Sequence, residues 1–119
     1  MLYELRIYTI HEGRMDAIQA RFANHTLGIF ERLGMEVTDF WVDAGGRNKL
    51  YYMMRFTDEA ERERLWSLFR QDPEWVEVKR KSEENGGPIV EKIEEIFLSR
   101  ADFFRTAEHR GEQSYFIGD

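Results

Sequence analysis

Apolar and polar positions alternate from Leu2 to Ile10, which predicts a β-strand with two distinct faces. After Gly13 the apolar positions recur at steps of three and four residues, the period of an amphipathic helix. The apolar stripe of this first predicted helix comprises Met15, Ile18, Phe22, His25, Ile29 and Leu33. Gly13 is placed to cap its beginning, and Gly34 is placed to end it in the left-handed conformation.

Two further strands, a second helical region and a last strand follow. The strands are predicted at residues 35–42, 50–56 and 89–98, and the turn-forming residues 43–48 make the first two of these a hairpin. Thr57 or Asp58 caps the second helical region, which restarts at Asp72-Pro73 and stops before Gly86. The order βαββαβ predicts an α+β protein with a ferredoxin-like, four-stranded antiparallel sheet. Right-handed crossovers give the strand order 4-1-3-2 with the helices on one face.

The other face of this predicted sheet has no helix to cover it. Large side chains occupy that face whichever alternate set of the third strand points outward: Tyr51 and Met53, or Tyr52, Met54 and Phe56. Exposed apolar surface of that extent is unfavourable in water, and a second copy of the same chain is the simplest cover. The pattern therefore predicts a homodimer.

Composition and charge argue against several classes of protein. The 119 residues suit one domain, and 42% hydrophobic and 14% aromatic residues are enough for a packed core. The net charge of −6 argues against nucleic-acid binding, and no apolar run is long enough for a membrane span. Without cysteine there is no disulfide or thiolate nucleophile. The strand pattern starts at once, without the apolar segment of a signal peptide, so we expect a cytoplasmic protein.

Several of these motifs together resemble the NIPSNAP family, which falls within the dimeric α+β barrel group. The resemblance covers roughly residues 2–98. It rests on the first-strand sequence of residues 3–10 with Gly13, on Phe22, His25, Phe30 and Gly34, on Phe40-Trp41, on residues 61–64 and on Asp72-Pro73-Glu74-Trp75. The first strand and the Asp-Pro-Glu-Trp turn are specific in combination.

The resemblance implies a homodimer whose two sheets pack face to face, and it implies no particular activity. Related dimeric barrels look like cofactor-free oxygenases, isomerases, haem-handling enzymes and stress proteins, and they place small molecules between sheet and helices. The domain is expected to span residues 1–99. Residues 100–119 depart from the usual family ending, but Phe103, Phe104, Tyr115 and Phe116 predict that this tail packs on the domain or its partner.

Glu4, Arg6 and Tyr8 form a polar row on one face of the first strand. Because this strand is central in the predicted sheet, its charges must be paired or must line a polar cavity. Arg6 is suited to an anionic group and Tyr8 to an enolic substrate, with Arg55 of the neighbouring strand as a further candidate for ligand binding. The alternative is a structural ion pair that fixes the strand or crosses the dimer interface.

His25 is the sharpest candidate for catalysis. Its position in the apolar stripe points it toward the sheet, where an imidazole can act as a general acid or base near neutral pH. If Tyr8 lies on the same side of the sheet, the two side chains line one cavity and can relay a proton. The alternative is a core histidine hydrogen-bonded to Tyr8 or to a carboxylate. Trp41 is a candidate for stacking on an aromatic ligand, or else an anchor of the core or interface.

The sequence implies no metal and no cofactor. His11, His25 and His109 lack the spacing of metal ligands, and the motifs of phosphate loops and serine nucleophiles do not occur. We consider two hypotheses of function. The first is binding of a small, partly apolar organic molecule between the first helix and the sheet, with the cofactor-free oxygenase or isomerase chemistry that the resemblance to dimeric barrels implies. The second is a non-catalytic interaction or ligand-carrier module.

Overall fold

The computed structural model describes residues 1–104. Its elements are β1 Leu2–Ile10, α1 Met15–Arg21, a π-helical segment Phe22–Thr26, α2 Leu27–Leu33, β2 Glu36–Val42, β3 Lys49–Phe56, α3 Glu59–Gln71, α4 Pro73–Glu83 and β4 Val90–Leu98. The α1 helix, the π-helical segment and α2 run on without a break as one first helix. The predicted α+β order is thereby confirmed. None of the described helices is long and apolar enough to cross a lipid bilayer.

The strands form one antiparallel sheet in the order β2-β3-β1-β4. This is the predicted order read from the opposite edge, with β1 and β3 at the centre. Glu4 of β1 lies opposite Met54 of β3 and Phe97 of β4. The next residue, Leu5, lies opposite Met53. Even-numbered positions of β1 and β3 therefore share one face of the sheet, and odd-numbered positions share the other.

The helices cover the even-numbered face and bury it. Tyr52, Met54 and Phe56 of β3 are almost wholly inaccessible to solvent there. Phe30 of α2 and Trp66 of α3 belong to the same core, with their ring centroids 5.7 Å apart. Burial of aromatic and aliphatic side chains of this size is the main driving force for folding. The prediction that the helices lie on one face is confirmed.

The π-helical segment changes which residues of the first helix face the sheet. A π-helical turn bonds residue i to i+5 instead of i+4, so it holds one more residue and the buried stripe advances by one position. Thr26 is buried, and its hydroxyl donates to the carbonyl of Arg21 at 3.3 Å. His25 is exposed. The prediction that His25 points toward the sheet is therefore wrong.

The ends of the helices follow the local sequence with one exception. Asp58 caps α3 and Asp72 caps α4, each accepting from the backbone amide three residues further on, at 2.8 and 3.1 Å. Gly34 ends α2 in the left-handed conformation with φ of 79°. These three predictions are confirmed. The prediction that Gly13 caps the first helix is wrong, because Arg14 occupies the cap position and Gly13 forms the preceding turn with φ of 77°.

The face that carries the odd-numbered residues of β1 and β3 also carries the even-numbered residues of β4. It is the open face of the sheet, because the described helices all lie on the other side. Its apolar side chains come from every strand of the sheet: Tyr3, Leu5, Ile7, Trp41, Tyr51, Met53, Ile96 and Leu98. Several are substantially exposed, among them Trp41 at 47% and Ile96 at 44%. This is the surface for which the sequence predicts a second copy of the chain.

The beginning of the predicted tail lies beside the open face. Arg100 Nη2 donates to the Tyr3 hydroxyl at 3.3 Å, and the Arg100 guanidinium lies 5.1 Å from the centre of the Tyr3 ring. Residues 105–119, which include Tyr115 and Phe116, lie outside the described part of the chain. Packing of the whole tail therefore stays a prediction.

Candidate functional site

The polar row of β1 points toward the helices. Glu4 is fully buried, and Arg6 and Tyr8 are 7% and 8% exposed. They share the even-numbered face with Tyr52 of β3, which lies opposite Arg6 in the register. A central strand thus carries a carboxylate, a guanidinium and a phenol into the core, where each polar atom needs a partner.

The Glu4 carboxylate is the centre of a closed network. It accepts four hydrogen bonds: from Arg6 Nη1 at 2.8 Å, from Arg62 Nε and Nη2 at 3.0 Å each, and from Trp66 Nε1 at 2.9 Å. Arg62 Nη2 also pairs with Glu95 of β4 at 2.5 Å. One buried carboxylate therefore joins β1 to α3 and, through Arg62, to β4.

Hydrogen bonding keeps Glu4 ionised despite its burial. Burial raises the pKa of a carboxyl group, but here the hydrogen bonds from Arg62 and Trp66 and the charge of Arg6 outweigh it, so the pKa of Glu4 lies below its ordinary value. Each Glu4 oxygen accepts from two donors, so the acceptor sites of the carboxylate are filled. This arrangement is typical of a structural ion pair.

A chain of hydrogen bonds leads from Arg6 to Tyr8. Arg6 Nε donates to the Tyr52 hydroxyl at 2.8 Å, and the hydroxyl oxygens of Tyr52 and Tyr8 are 2.7 Å apart. Burial, with a further contribution from Tyr8, raises the pKa of Tyr52, so this phenol keeps its proton at neutral pH. Because the Tyr52 oxygen accepts from Arg6, its own proton can point to Tyr8. That direction leaves the Tyr8 proton for a further acceptor.

A cleft with a volume of about 510 Å³ lies beside Tyr8, between the first helix, α4 and β4. Its wall is largely aromatic and aliphatic and includes Phe22, Phe30, Phe69, Trp75, Val90 and Ile93, and its polar residues include Tyr8, Arg21, Lys79, Glu83 and Glu91. A space of this size and lining lies in the usual range for small-molecule sites. This Tyr8 cleft is the region between helix and sheet in which the sequence predicts a ligand.

Arg21 of α1 lines the Tyr8 cleft and is 6% exposed. Its Nη1 donates to the Ser82 hydroxyl at 3.1 Å and to Glu83 Oε2 at the long distance of 3.5 Å, and its guanidinium lies 5.0 Å from the Trp75 ring. The buried Nε of Arg21 has no hydrogen-bond partner within residues 1–104. Burial lowers the pKa of Arg21, and the charge of Glu83 only partly offsets this. The cleft thus contains a desolvated and incompletely paired cation.

His25 and Tyr8, the predicted catalytic pair, line different depressions. His25 lies on the outer side of the first helix, in a groove that it shares with Glu74 and Glu77 of α4. Tyr8 lies in the cleft on the sheet side. A proton relay needs one shared cavity, so the fold does not bring this pair together. Within the described residues, no three acidic or histidine side chains are placed to hold a metal ion.

Arg55 and Trp41, both predicted to bind a ligand, stand on the open face and not in the Tyr8 cleft. Arg55 pairs with Glu36 of β2 at 2.8 Å. Trp41 lines a separate pocket of about 280 Å³ at the β2 edge, and Phe22 forms part of the wall of both this pocket and the Tyr8 cleft. Arg55 does not join the polar row of β1, because it lies on the opposite face of the sheet, and Trp41 lies at the β2 edge, away from that row.

Sequence reasoning missed several residues that complete the site. Arg62 and Trp66 are four positions apart on α3, so their spacing places them on one helix face. Tyr52 belongs to one of the two alternate sets of β3, and Arg21 stands at the edge of the apolar stripe of the first helix. Each of these signals is local. None of them predicts which partner the side chain meets in the fold.

Solved structures share this fold. An uncharacterized NIPSNAP domain protein from Burkholderia xenovorans is 23% identical with a TM-score of 0.74, over 89% of this chain and 100% of that one. A NIPSNAP family protein from Agrobacterium tumefaciens is 18% identical with a TM-score of 0.75, over 86% and 94% of the two chains. An antibiotic biosynthesis monooxygenase is 9% identical with a TM-score of 0.61, over 85% and 99%. At such identities the likeness concerns the fold alone. No match was found among curated proteins.

The sequence itself carries a more specific likeness than the fold. The NIPSNAP family model matches residues 3–105, which is nearly all of the sheet and of the helices packed on it. The resemblance predicted from the first strand and the Asp-Pro-Glu-Trp turn is confirmed by this match. The chain therefore belongs to the NIPSNAP family.

Proposed function

We propose that this protein is a homodimeric NIPSNAP domain that binds a small, partly apolar organic molecule in the Tyr8 cleft. The observation that carries the proposal is the lining of the cleft, in which Phe22, Phe69 and Trp75 surround the polar groups of Tyr8 and Arg21. Small-molecule sites have this composition, a mainly apolar lining with a few polar groups that fix the orientation of the ligand.

Tyr8 is the residue to which we assign orientation of the ligand. Its hydroxyl oxygen lies 2.7 Å from that of Tyr52, which accepts from Arg6, and when Tyr52 donates to Tyr8 the Tyr8 proton is left for the ligand. A phenol proton directed at a carbonyl or enolate oxygen stabilises negative charge that develops there. This geometry supports chemistry that passes through an enolate, as in isomerases and cofactor-free oxygenases. The monooxygenase with the same fold agrees with it only by analogy.

A non-catalytic ligand carrier or interaction module is the second candidate, and one observation favours it. The predicted base, His25, lies in another groove, while Glu4 is held by four donors behind the cleft. A carrier needs only the apolar wall and the orienting groups. Mass spectrometry of the small molecule after incubation with the protein in air separates the two functions, because only an enzyme changes its ligand.

The open face supports the homodimer. Trp41 and Ile96 expose nearly half of their surfaces there, and a monomer would leave this apolar area in water. Packing of two open faces against each other forms a two-fold symmetric interface between identical surfaces. Because the Tyr8 cleft lies on the helix side of the sheet, such a dimer leaves the cleft accessible to its ligand.

Two measurements test binding in the Tyr8 cleft. Native mass spectrometry of the purified protein detects a molecule that co-purifies with it. Titration of the ¹⁵N-labelled protein with 1-naphthaleneacetamide, a neutral two-ring probe, is expected to shift the backbone amide signals around Phe22, Trp75 and Val90. Absence of both a co-purified molecule and cleft shifts at millimolar probe would contradict the proposal.

A matched pair of variants controls for binding elsewhere on the surface. Ile93→Trp places an indole at the wall of the Tyr8 cleft and is expected to abolish the probe-induced shifts. Val76→Trp places the same indole on α4 at a position that is 53% exposed and outside the cleft, and is expected to leave the shifts unchanged.

A further inference from the structure

Arg21 indicates the chemical class of the ligand. We infer that the Tyr8 cleft is selective for organic carboxylates with an aromatic or alicyclic body, and that the carboxylate pairs with Arg21 and accepts a hydrogen bond from Tyr8. The inference rests on the proposed function, because it specifies the ligand of the same cleft.

The protein neutralises the Arg21 guanidinium poorly. Glu83 serves two cations, with Oε2 at 3.5 Å from Arg21 Nη1 and Oε1 at 3.5 Å from Lys79 Nζ. Both distances exceed the roughly 2.7–2.9 Å of a strong charge-assisted hydrogen bond. By contrast, Arg62 holds Glu4 through two hydrogen bonds of 3.0 Å. A ligand carboxylate would give Arg21 the partner that Glu83 supplies only in part.

The geometry of the Arg21 side chain suits such a partner. Its Nε is buried and lacks a hydrogen-bond partner among residues 1–104, which is unfavourable for an N–H group out of contact with water. Trp75 covers the face of the guanidinium at 5.0 Å, so hydrogen bonds must form at its edge. The edge of a guanidinium presents a fork of N–H groups that matches the two oxygens of a carboxylate.

The other charged groups around the cleft do not neutralise the positive charge of Arg21. Glu91 of β4 is exposed, so solvent screens its charge. Lys92 is paired with Glu94 at 3.4 Å. Burial lowers the pKa of Arg21 by removing water from its charge, and the nearby positive charge of Arg14 lowers it further by repulsion. An anion bound beside Arg21 relieves this repulsion.

Tyr8 and the aromatic wall restrict which anions fit. Tyr8 and Arg21 both line the cleft, so their donor groups face the same space. One carboxylate can thus meet two donors. An inorganic anion would leave Phe22 and Phe69 uncovered, whereas a one- or two-ring acid also buries apolar surface in the cleft of about 510 Å³.

Calorimetry with two probes of nearly equal shape tests the inference. The full-length protein is titrated with 1-naphthaleneacetate and with 1-naphthaleneacetamide at pH 7. The carboxylate is expected to bind about tenfold to a hundredfold more tightly than the amide, the range for a hydrogen bond to a charged group. Arg21→Met is expected to remove this preference, and Arg21→Lys to retain part of it. Arg64→Met, which removes an exposed arginine of α3, is expected to preserve it.

The outcomes separate this inference from the proposed function. Equal affinity of the wild-type protein for both probes would overturn the carboxylate selectivity while leaving the cleft as a binding site. Binding of neither probe would overturn the carboxylate inference, and together with the absence of a co-purified molecule it would overturn the proposed function as well. A carboxylate preference that persists unchanged in Arg21→Met would place the anion elsewhere and overturn the role of Arg21. If Arg21→Met does not fold, the ratio of the affinities for the two probes, measured on the wild-type protein and on Arg21→Lys, still tests the inference.

Discussion

Trp66 Nε1 donates to Glu4 Oε1 at 2.9 Å, so an indole of α3 and a carboxylate of β1 meet in the core of the helix-covered face. Arg6 lies over the same indole, with its guanidinium 4.2 Å from the ring. Trp66 thus binds the anion by its edge and the cation by its face. These two contacts tie α3 to β1 in the core.

Replacement of Glu4 by glutamine should destabilise the protein strongly. Glu4→Gln removes the charge that compensates Arg6 and Arg62 and puts an amide N–H₂ where the carboxylate accepts hydrogen bonds. Breaking a buried ion pair by changing one partner typically costs about 3–5 kcal/mol. Urea unfolding followed by far-ultraviolet circular dichroism measures the loss.

Glu36→Gln is the matched control, because Glu36 pairs with Arg55 at 2.8 Å where both side chains are accessible to solvent. Pairs of this kind contribute about 1 kcal/mol or less. A loss of stability in Glu4→Gln no greater than that in Glu36→Gln would contradict the structural role of the network.

The stability of the protein should fall in acid partly because of Glu4. The pKa of Glu4 is lowered in the folded state, so the unfolded chain binds its proton first as the pH decreases. The stabilisation is therefore fully present above about pH 4.3, the usual glutamate pKa, and is lost as the pH falls through the lower pKa of the folded protein. Urea unfolding between pH 3 and 7 should show a steeper acid decline for the wild type than for Glu4→Gln. Parallel declines would exclude this contribution.

The oligomeric state should depend on the open face. The wild type is expected to be a dimer by light scattering at micromolar concentration, with an interface above the roughly 1,000 Å² of specific assemblies. Ile96→Asp puts a charge among the apolar side chains of that face and should give a folded monomer. Val76→Asp, at an exposed position of α4, should leave the dimer intact. A wild-type monomer, or a dimer unaffected by Ile96→Asp, would rule out this interface.

His25 and Tyr8 should differ sharply as sites of substitution. His25 is exposed in a separate groove, so His25→Ala should leave ligand binding unchanged and alter stability by no more than about 0.5 kcal/mol. Tyr8→Phe removes the hydroxyl that lies between Tyr52 and the cleft and should weaken binding of 1-naphthaleneacetate by up to about tenfold. Titration calorimetry on both variants checks this contrast. A greater loss of binding in His25→Ala than in Tyr8→Phe would refute the prediction.

Asp72 should matter more than an ordinary helix cap. Its carboxylate accepts from the Trp75 amide and also from Arg32 Nη2 at 2.7 Å, which joins the first helix to α4. Asp72→Ala should therefore lower the free energy of unfolding by about 2 kcal/mol, the upper end for a cap. Asp58→Ala, which removes the cap of α3, should cost about 1 kcal/mol. Thermal unfolding compares the stability of the two variants. An equal loss of stability would show that the contact between Asp72 and Arg32 does not stabilise the fold.

Much of the fold could be predicted because its signals are local. The alternation in β1, the aspartates before α3 and α4 and the glycine after α2 each act on the residues beside them. The π-helical segment could not be predicted, since the apolar stripe of the first helix keeps its spacing whether residue 25 or residue 26 belongs to it. Thr26 is the favoured buried residue because its hydroxyl bonds to the carbonyl of Arg21 within the helix, whereas a buried imidazole would need a partner from elsewhere.

The site was predictable only in part for a related reason. Alternation groups Glu4, Arg6 and Tyr8 on one face, but it leaves open whether that face meets the helices or a second copy. Arg62 meets Glu4 across 58 positions of sequence, and a spacing of that length contains no information about contact. The incomplete pairing of Arg21 depends on how α4 and β4 pack beside it. This packing is a property of the folded chain and not of the local sequence.

The π-helical segment also affects how this chain should be aligned with its relatives. Its wider turn amounts to one inserted residue within residues 22–26, so a relative with a regular α-helix there would be one residue shorter. Positions up to Arg21 are then best numbered from the turn at Gly13, and positions from Thr26 onward from the helix end at Gly34. An ungapped alignment through the middle of this helix would match His25 to a buried position and would assign the lining of the cleft to the wrong residues on one side of the turn.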